Sequence, residues 1–403
     1  MHLKHDIVVN MKDMGNENMI KKSFCIFLFL ITLTTGCERE LPVLEERFRT
    51  DVFLEAYDVP VQLEMNVMTQ YQEKVIYREG NWIYVYDQKA DTCEKLCQKP
   101  GCTHEGIHCN AYNKVPFYGM GMLQVYDGSL YVLDAIGDQW GLYRMDLEGI
   151  EKKMVQKLPV NIEQRSVMAW MHRGYVFTYV MEYQKARLYQ SILGQEGEDR
   201  QIWKEPKNSG SYFRILGDTI YWVTYSTEEI SHIELRTYDL TRNQWKTILE
   251  TDIEGLVGPL WITDHKVYLG NHSLKEAAYK LFTYDLDSQE TLMIPLYTED
   301  MDADSISMFS SCIVVFEGMD GASQERAYKV FNYAGEVIAN GEMRFDDLSP
   351  DSVWTSRLFC LGEIEGELVF QYQLWYDASD ADYMYKKMEL SQNTCAGLTI
   401  DTE

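Results

Sequence analysis

The sequence predicts an all-β chain folded as a seven-bladed β-propeller, and three observations carry that expectation. The chain is rich in Tyr (28) and Trp (9), residues that favour pleated, half-buried surfaces. Short runs of alternating apolar and polar residues, separated by Gly, Asp and Asn, take the place of any sustained helical periodicity. Finally, one unit recurs along most of the chain at near-constant spacing.

That unit reads as an apolar strand, a polar turn, and a strand ending in Tyr-Asp-Leu or a close relative. Its instances are Val85-Tyr86-Asp87, Met145-Asp146-Leu147, Ser191-Ile192-Leu193, Tyr238-Asp239-Leu240, Tyr284-Asp285-Leu286, Phe331-Asn332-Tyr333 and Met388-Glu389-Leu390. The marks at 87, 146, 192, 239, 285, 332 and 389 are spaced 59, 46, 47, 46, 47 and 57 residues apart. The first long interval contains a cysteine-rich insert at 93–112 and the last contains residues 349–360. Similar strand openings lie upstream, among them Gly128-Ser129-Leu130-Tyr131, Gly174-Tyr175-Val176-Phe177 and Gly217-Asp218-Thr219-Ile220-Tyr221. Four short antiparallel strands in about 45 residues make one propeller blade. A blade is apolar on both faces, and stacking blades around an axis buries both while leaving no long open edge. Six or eight blades are the alternatives, as is a linear β-solenoid. The propeller is expected over 59–403, after a Glu- and Arg-rich tether at 37–58.

Residues 1–36 read as an export signal. The apolar run at 23–35, SFCIFLFLITLTT, follows Lys21 and Lys22 and is shorter than the roughly 20 residues a spanning helix needs. It ends Leu33-Thr34-Thr35-Gly36-Cys37, with Glu38-Arg39-Glu40 next. Small residues before a cysteine, with charge directly after it, resemble a bacterial lipobox. The resemblance implies that Cys37 takes the lipid and becomes the N-terminus, anchoring the chain to the outer face of the cell membrane. Thr34 stands where the pattern prefers Leu. Met19-Ile20-Lys21-Lys22 makes the more typical beginning for such a signal, so Met19 is the expected translation start.

The formal charge is −26, and without residues 1–36 the chain keeps 33 basic and 60 acidic side chains. A field of that sign repels phosphate backbones, which argues against nucleic acid as a partner.

The sharpest local feature is Leu96-Cys97-Gln98-Lys99-Pro100-Gly101-Cys102-Thr103-His104, continuing to Cys109-Asn110-Ala111-Tyr112. Cys97, Cys102, His104 and Cys109 offer three thiolates and an imidazole, a set suited to tetrahedral zinc. Cys102 and His104 lie two apart on an extended segment, and Pro100-Gly101 supplies the turn that brings Cys97 back to them. His108 is an alternate ligand. Four protein ligands would leave no place for water, making the site structural. Disulfides among Cys93, Cys97, Cys102 and Cys109 are the competing reading, natural for an exported protein. The pattern Leu-Cys-x-x-Pro-x-Cys-x-His-x-x-x-x-Cys-x-Ala-Tyr resembles one in lipoproteins of Gram-positive anaerobes. The Leu-Tyr-x-x-Asp-Leu unit is similar to that of TolB-like propellers. The resemblance implies fold and location; it implies no activity.

Other candidates read as structural. Cys312 sits in an apolar strand as a small hydrophobe, while Cys360 and Cys395 are open between pairing and remaining reduced. Asp300, Asp302 and Asp304 begin like a calcium loop, but Ser305 replaces the required Gly and no closing Glu follows. Trp170 and Trp261 fit packing between blades better than a sugar platform. His172, His232, His265 and His272 show no ligand spacing, and neither a nucleophile elbow nor a phosphate loop is present. The expected function is therefore non-catalytic binding of a glycan, peptide or envelope protein through the loop face. A carbohydrate-active lyase or hydrolase with its site at the propeller axis is the alternative.

Overall fold

The protein is represented by a computed structural model that describes residues 68–344, short stretches apart, and the strand backbone at 353–364, 367–376 and 396–399. The signal peptide, Cys37, the tether, Asp300, Asp302, Cys395 and the repeat mark at 389 lie outside the described residues, as does the Cys360 side chain. No helix among the described residues is long and apolar enough to cross a membrane.

The described chain is all-β and forms a β-propeller. Six four-stranded antiparallel sheets follow one another, each a meander in chain order. Blade 1 occupies 68–95, blade 2 123–161, blade 3 166–204, blade 4 209–254, blade 5 256–296 and blade 6 303–344. The expectation of seven blades is corrected to six complete ones. The remaining strands, Val353–Ile364, Glu367–Tyr376 and Ala396–Thr399, make a sheet of three. The seventh mark would end a strand at 389, and that stretch contributes no described strand.

The repeat marks have a structural meaning. Asp87, Asp239 and Asp285 end the third strand of their blades, while Asp146 and Asn332 follow it directly. Each side-chain oxygen then accepts backbone N–H groups of the turn into the fourth strand. Asp87 takes those of Lys89 and Ala90 at 3.1 and 2.9 Å, and Asp285 those of Asp287 and Ser288 at 3.1 and 2.8 Å. Asn332 takes those of Ala334 and Glu336, both at 3.0 Å. Such Asx turns satisfy donors that the ladder cannot reach. The Gly-led openings sit at the other hairpin. Asp127-Gly128 and Arg173-Gly174 both have positive φ, which matches the twist of a two-residue turn between the first and second strands.

Apolar side chains are buried between successive blades. One cluster joins Tyr126, Leu133 and Trp140 of blade 2 to Val167, Met171 and Val180 of blade 3. Others join blades 1 and 2, blades 4 and 5, and blades 5 and 6. Between blades 3 and 4, Phe213 stacks on Trp170 and on Trp222 with ring centroids 4.7 Å apart in both cases. Trp170 is therefore core, as its sequence context implies, and Trp261 is buried as well. Polar ties cross the same seams. Gln124 of blade 2 donates to the Met171 carbonyl and accepts from the Met171 N–H at 2.9 and 2.8 Å. Arg173 pairs with Asp218 at 2.6 Å.

Candidate metal centre

Between blades 1 and 2 the chain makes a compact knuckle rather than a strand. Cys97 and Cys109 are buried, and Cys102 and His104 are partly so. One donor atom from each of the four lies within 4.8 Å of all the others. The cluster can hold a metal ion.

Local chemistry accounts for the shape. After Lys95 the chain turns at Pro100-Gly101, where Gly101 takes φ +73° and the Cys102 N–H donates to the Lys99 carbonyl at 3.1 Å. His104 itself has φ +56°, an uncommon value for a side-chain-bearing residue, and its N–H points at Cys102 Sγ at 3.4 Å. A short 3-10 turn, Gly106–His108, then returns the chain so that Cys109 Sγ lies 3.8 Å from His104 Nδ1. Zinc–sulfur bonds of about 2.3 Å and zinc–nitrogen bonds of about 2.0 Å place tetrahedral donors roughly 3.5–3.8 Å apart. Cys109 and His104 already stand at that spacing, and the whole set lies within 4.8 Å, so small shifts would bring it onto one ion; its three sulfurs and one nitrogen suit zinc.

The electrostatics also suit a cation. Burial opposes ionisation of Cys97, but the backbone N–H groups of Lys99 and Asn110, with the thiols of Cys102 and Cys109, outweigh it and bring Cys97 down to about 7. Burial and the neighbouring Cys97 push Cys109 up to about 11. Neighbouring thiols that oppose one another's ionisation are a set that a divalent cation would neutralise.

The residues around the knuckle hold it in place. Lys95 donates to the His104 carbonyl at 3.1 Å while its ammonium lies 3.8 Å from the centre of the Trp82 ring. Trp82 meets Tyr112 edge to face at 5.2 Å. These supports, like Asn110 and Gly149, were not singled out by sequence reasoning. The Lys95–Trp82 pair has no short motif that would betray it.

Of the sequence candidates, the structure brings together Cys97, Cys102, His104 and Cys109. The exposed His108 is outside the cluster. Cys93, Cys97, Cys102 and Cys109 are free thiols in this structure. Three of them gather with His104 around a common centre, and the exposed Cys93 contacts Tyr77 Oη at 3.0 Å. Cys312 is buried, as expected of a packed small hydrophobe. The other histidines are dispersed. His172 is buried with Nε2 2.6 Å from the Gly217 carbonyl, and His272 stacks on Tyr279 at 4.6 Å. His232 and His265 pair with Asp252 and Asp287 on the surface at 2.8 and 3.0 Å.

No family model matches the chain, and no curated protein does. Among solved structures, the chain is similar to an oligogalacturonate lyase in complex with manganese, at 14% identity and a TM-score of 0.46, over 76% of this chain and 87% of that one. It is also similar to a prolyl endopeptidase, at 10% identity and a TM-score of 0.45, over 87% of this chain and 50% of that one. A third is the dipeptidyl peptidase 4 of Porphyromonas gingivalis, at 9% identity and a TM-score of 0.42, over 84% of this chain and 54% of that one. The chain thus spans about half the length of the two peptidases. Likeness at this level carries no chemistry.

Proposed function

We propose that the chain is a non-catalytic recognition module: a lipid-anchored, extracytoplasmic β-propeller that binds a glycan, peptide or envelope protein through its loop face. A structural zinc ion at Cys97, Cys102, His104 and Cys109 staples it. The observation that carries this reading is the closed donor set. Three sulfurs and an imidazole from one short segment would complete a tetrahedral set, leaving a bound ion no open position at which to polarise a substrate. The dispersal of the remaining described histidines over blades 3 to 5 fits a scaffold better than a catalytic cluster. The lipobox-like ending at Cys37 supports the anchor, and the Cys-His pattern supports placement with TolB-like lipoproteins of Gram-positive anaerobes.

Elemental analysis with thiol counting tests the metal. One zinc per chain is expected, falling to background in Cys109→Ser; metal-free protein with oxidised cysteines would sink the zinc reading. Cys37→Ser should release the protein from the membrane fraction. Glycan and envelope-protein binding assays then test recognition, and turnover of a polysaccharide by the purified protein would replace it with the enzyme.

A further inference from the structure

We infer that the metal centre is a clasp between two blades: its occupancy sets how firmly the outer turn of blade 2 is held against blade 1. The inference rests on the zinc reading above and goes beyond it, since a knuckle could bind zinc and stabilise only itself.

The knuckle is tied to blade 1 at both ends. Leu96 N–H donates to the Ile83 carbonyl at 2.9 Å, Ile83 N–H to the Ala111 carbonyl at 2.9 Å, and Asn113 N–H to the Asn81 carbonyl at 2.8 Å. Its two buried ligands, Cys97 and Cys109, are each followed by the residue that reaches blade 2. Gln98 N–H donates to the Glu148 carbonyl at 3.0 Å. Asn110 Nδ2 donates to the carbonyls of Gly149 and Ile150 at 3.0 and 2.7 Å. All three acceptors lie in the turn between the third and fourth strands of blade 2.

The fit there is tight. Gly149 has φ +70°, and a Cβ on it would lie 2.3 Å from the Leu96 carbonyl oxygen and 2.9 Å from Cys97 Cα. Further along, Lys152 Nζ reaches the Tyr112 carbonyl at 2.7 Å and Asp134 at 2.8 Å, and Lys114 N–H donates to Asp134 at 2.9 Å. A metal bonded to Cys97 and Cys109 fixes the backbone at 98 and 110 together, and hence both arms of the grip on 148–150. Without it, those arms are joined only by the backbone bonds to Ile83 and by the small cluster of Cys97, Cys109 and Ala111, so they are freer to open locally.

The test is hydrogen exchange read by peptide mass spectrometry on the purified protein, zinc-loaded and after chelation, with zinc counted in each sample. Chelation should speed exchange by about tenfold or more, both in 97–112 and in the blade 2 turn at 146–152, and leave blade 5 strands at 266–285 unchanged. Asn110→Ala, which keeps all four ligands, should retain one zinc per chain. Its zinc-loaded turn at 146–152 should nevertheless exchange like that of the metal-free wild type. Gly149→Ala should behave likewise; should it fail to fold, Asn110→Ala decides alone. Faster exchange confined to 97–112 would overturn the clasp while leaving the zinc reading intact. Protein that takes up no zinc would overturn both.

Discussion

The recurring Asp of the Tyr-Asp-Leu unit shows how much one side chain can announce. Its role as a turn acceptor depends only on residues two to five positions away, so the sequence displays it openly, and Asp87, Asp146, Asp239, Asp285 and Asn332 all serve alike. Ile192 is the instructive exception. Its side chain offers no acceptor, and Gln156 of blade 2 instead accepts from the Gly194 N–H at 3.1 Å. The ligand set was legible for the same reason, being local. Asn110 and Gly149 were not, because their meaning lies in a contact 39 residues away. At this scale the exposed pair of His232 and Asp252 gives a pH prediction. The hydrogen bond to Asp252 raises the His232 pKa above the ordinary 6.5, with Glu250 and Glu234 adding to it. A raised histidine contributes its stabilisation fully below the unfolded value and loses it as pH rises through the folded one. NMR titration should place the His232 midpoint above 6.5 and move it down in Asp252→Asn. An unchanged midpoint in the variant would reject the pairing.

Blades meet through their first strands and through the short connectors that carry the chain from one to the next. The connector from blade 4 to blade 5 is Gly255 alone, with φ +100°, and its missing Cβ would lie 2.3 Å from the His272 carbonyl oxygen. Ser231 Oγ donates to the Gly255 carbonyl at 2.9 Å, fixing the connector from the other side. A side chain here must pay for both the left-handed backbone and the overlap. Gly255→Ala is expected to lower unfolding free energy by about 2–4 kcal/mol, measured by urea denaturation. A loss well under 1 kcal/mol would mean that the connector relaxes freely. Sequence reading placed strands two and three of most blades well, because alternation and turn residues are short-range signals. It could not foresee which glycines face a neighbouring backbone, since a glycine in a turn looks the same whether or not something presses against it.

For the molecule as a whole, the constant period foretold the stacking of like sheets, and interblade clusters such as that of Trp170, Phe213 and Trp222 realise it. The number of blades was less legible. A mark such as Glu389 announces the end of a strand, whereas a complete blade needs four strands and a partner for each. The formal charge of −26 has its own consequence. Like charges crowded onto a compact body repel, and salt screens them over a Debye length of about 10 Å at 0.1 M. Thermal unfolding followed by circular dichroism should therefore show a melting temperature that rises between low salt and 0.5 M sodium chloride. A fall would mean that attractive pairs such as Arg173 with Asp218 outweigh the repulsion.

The four donors of the metal centre all come from residues 97–109. Closing so short a span costs little chain entropy compared with bringing distant strands together. On the zinc reading proposed above, coordination can accordingly precede assembly and give neighbouring strands one rigid corner on which to gather. A synthetic peptide of residues 93–113 should therefore capture zinc or cobalt unaided, turning cobalt solutions the blue-green of tetrahedral thiolate coordination. A colourless peptide would mean that the finished propeller must come first.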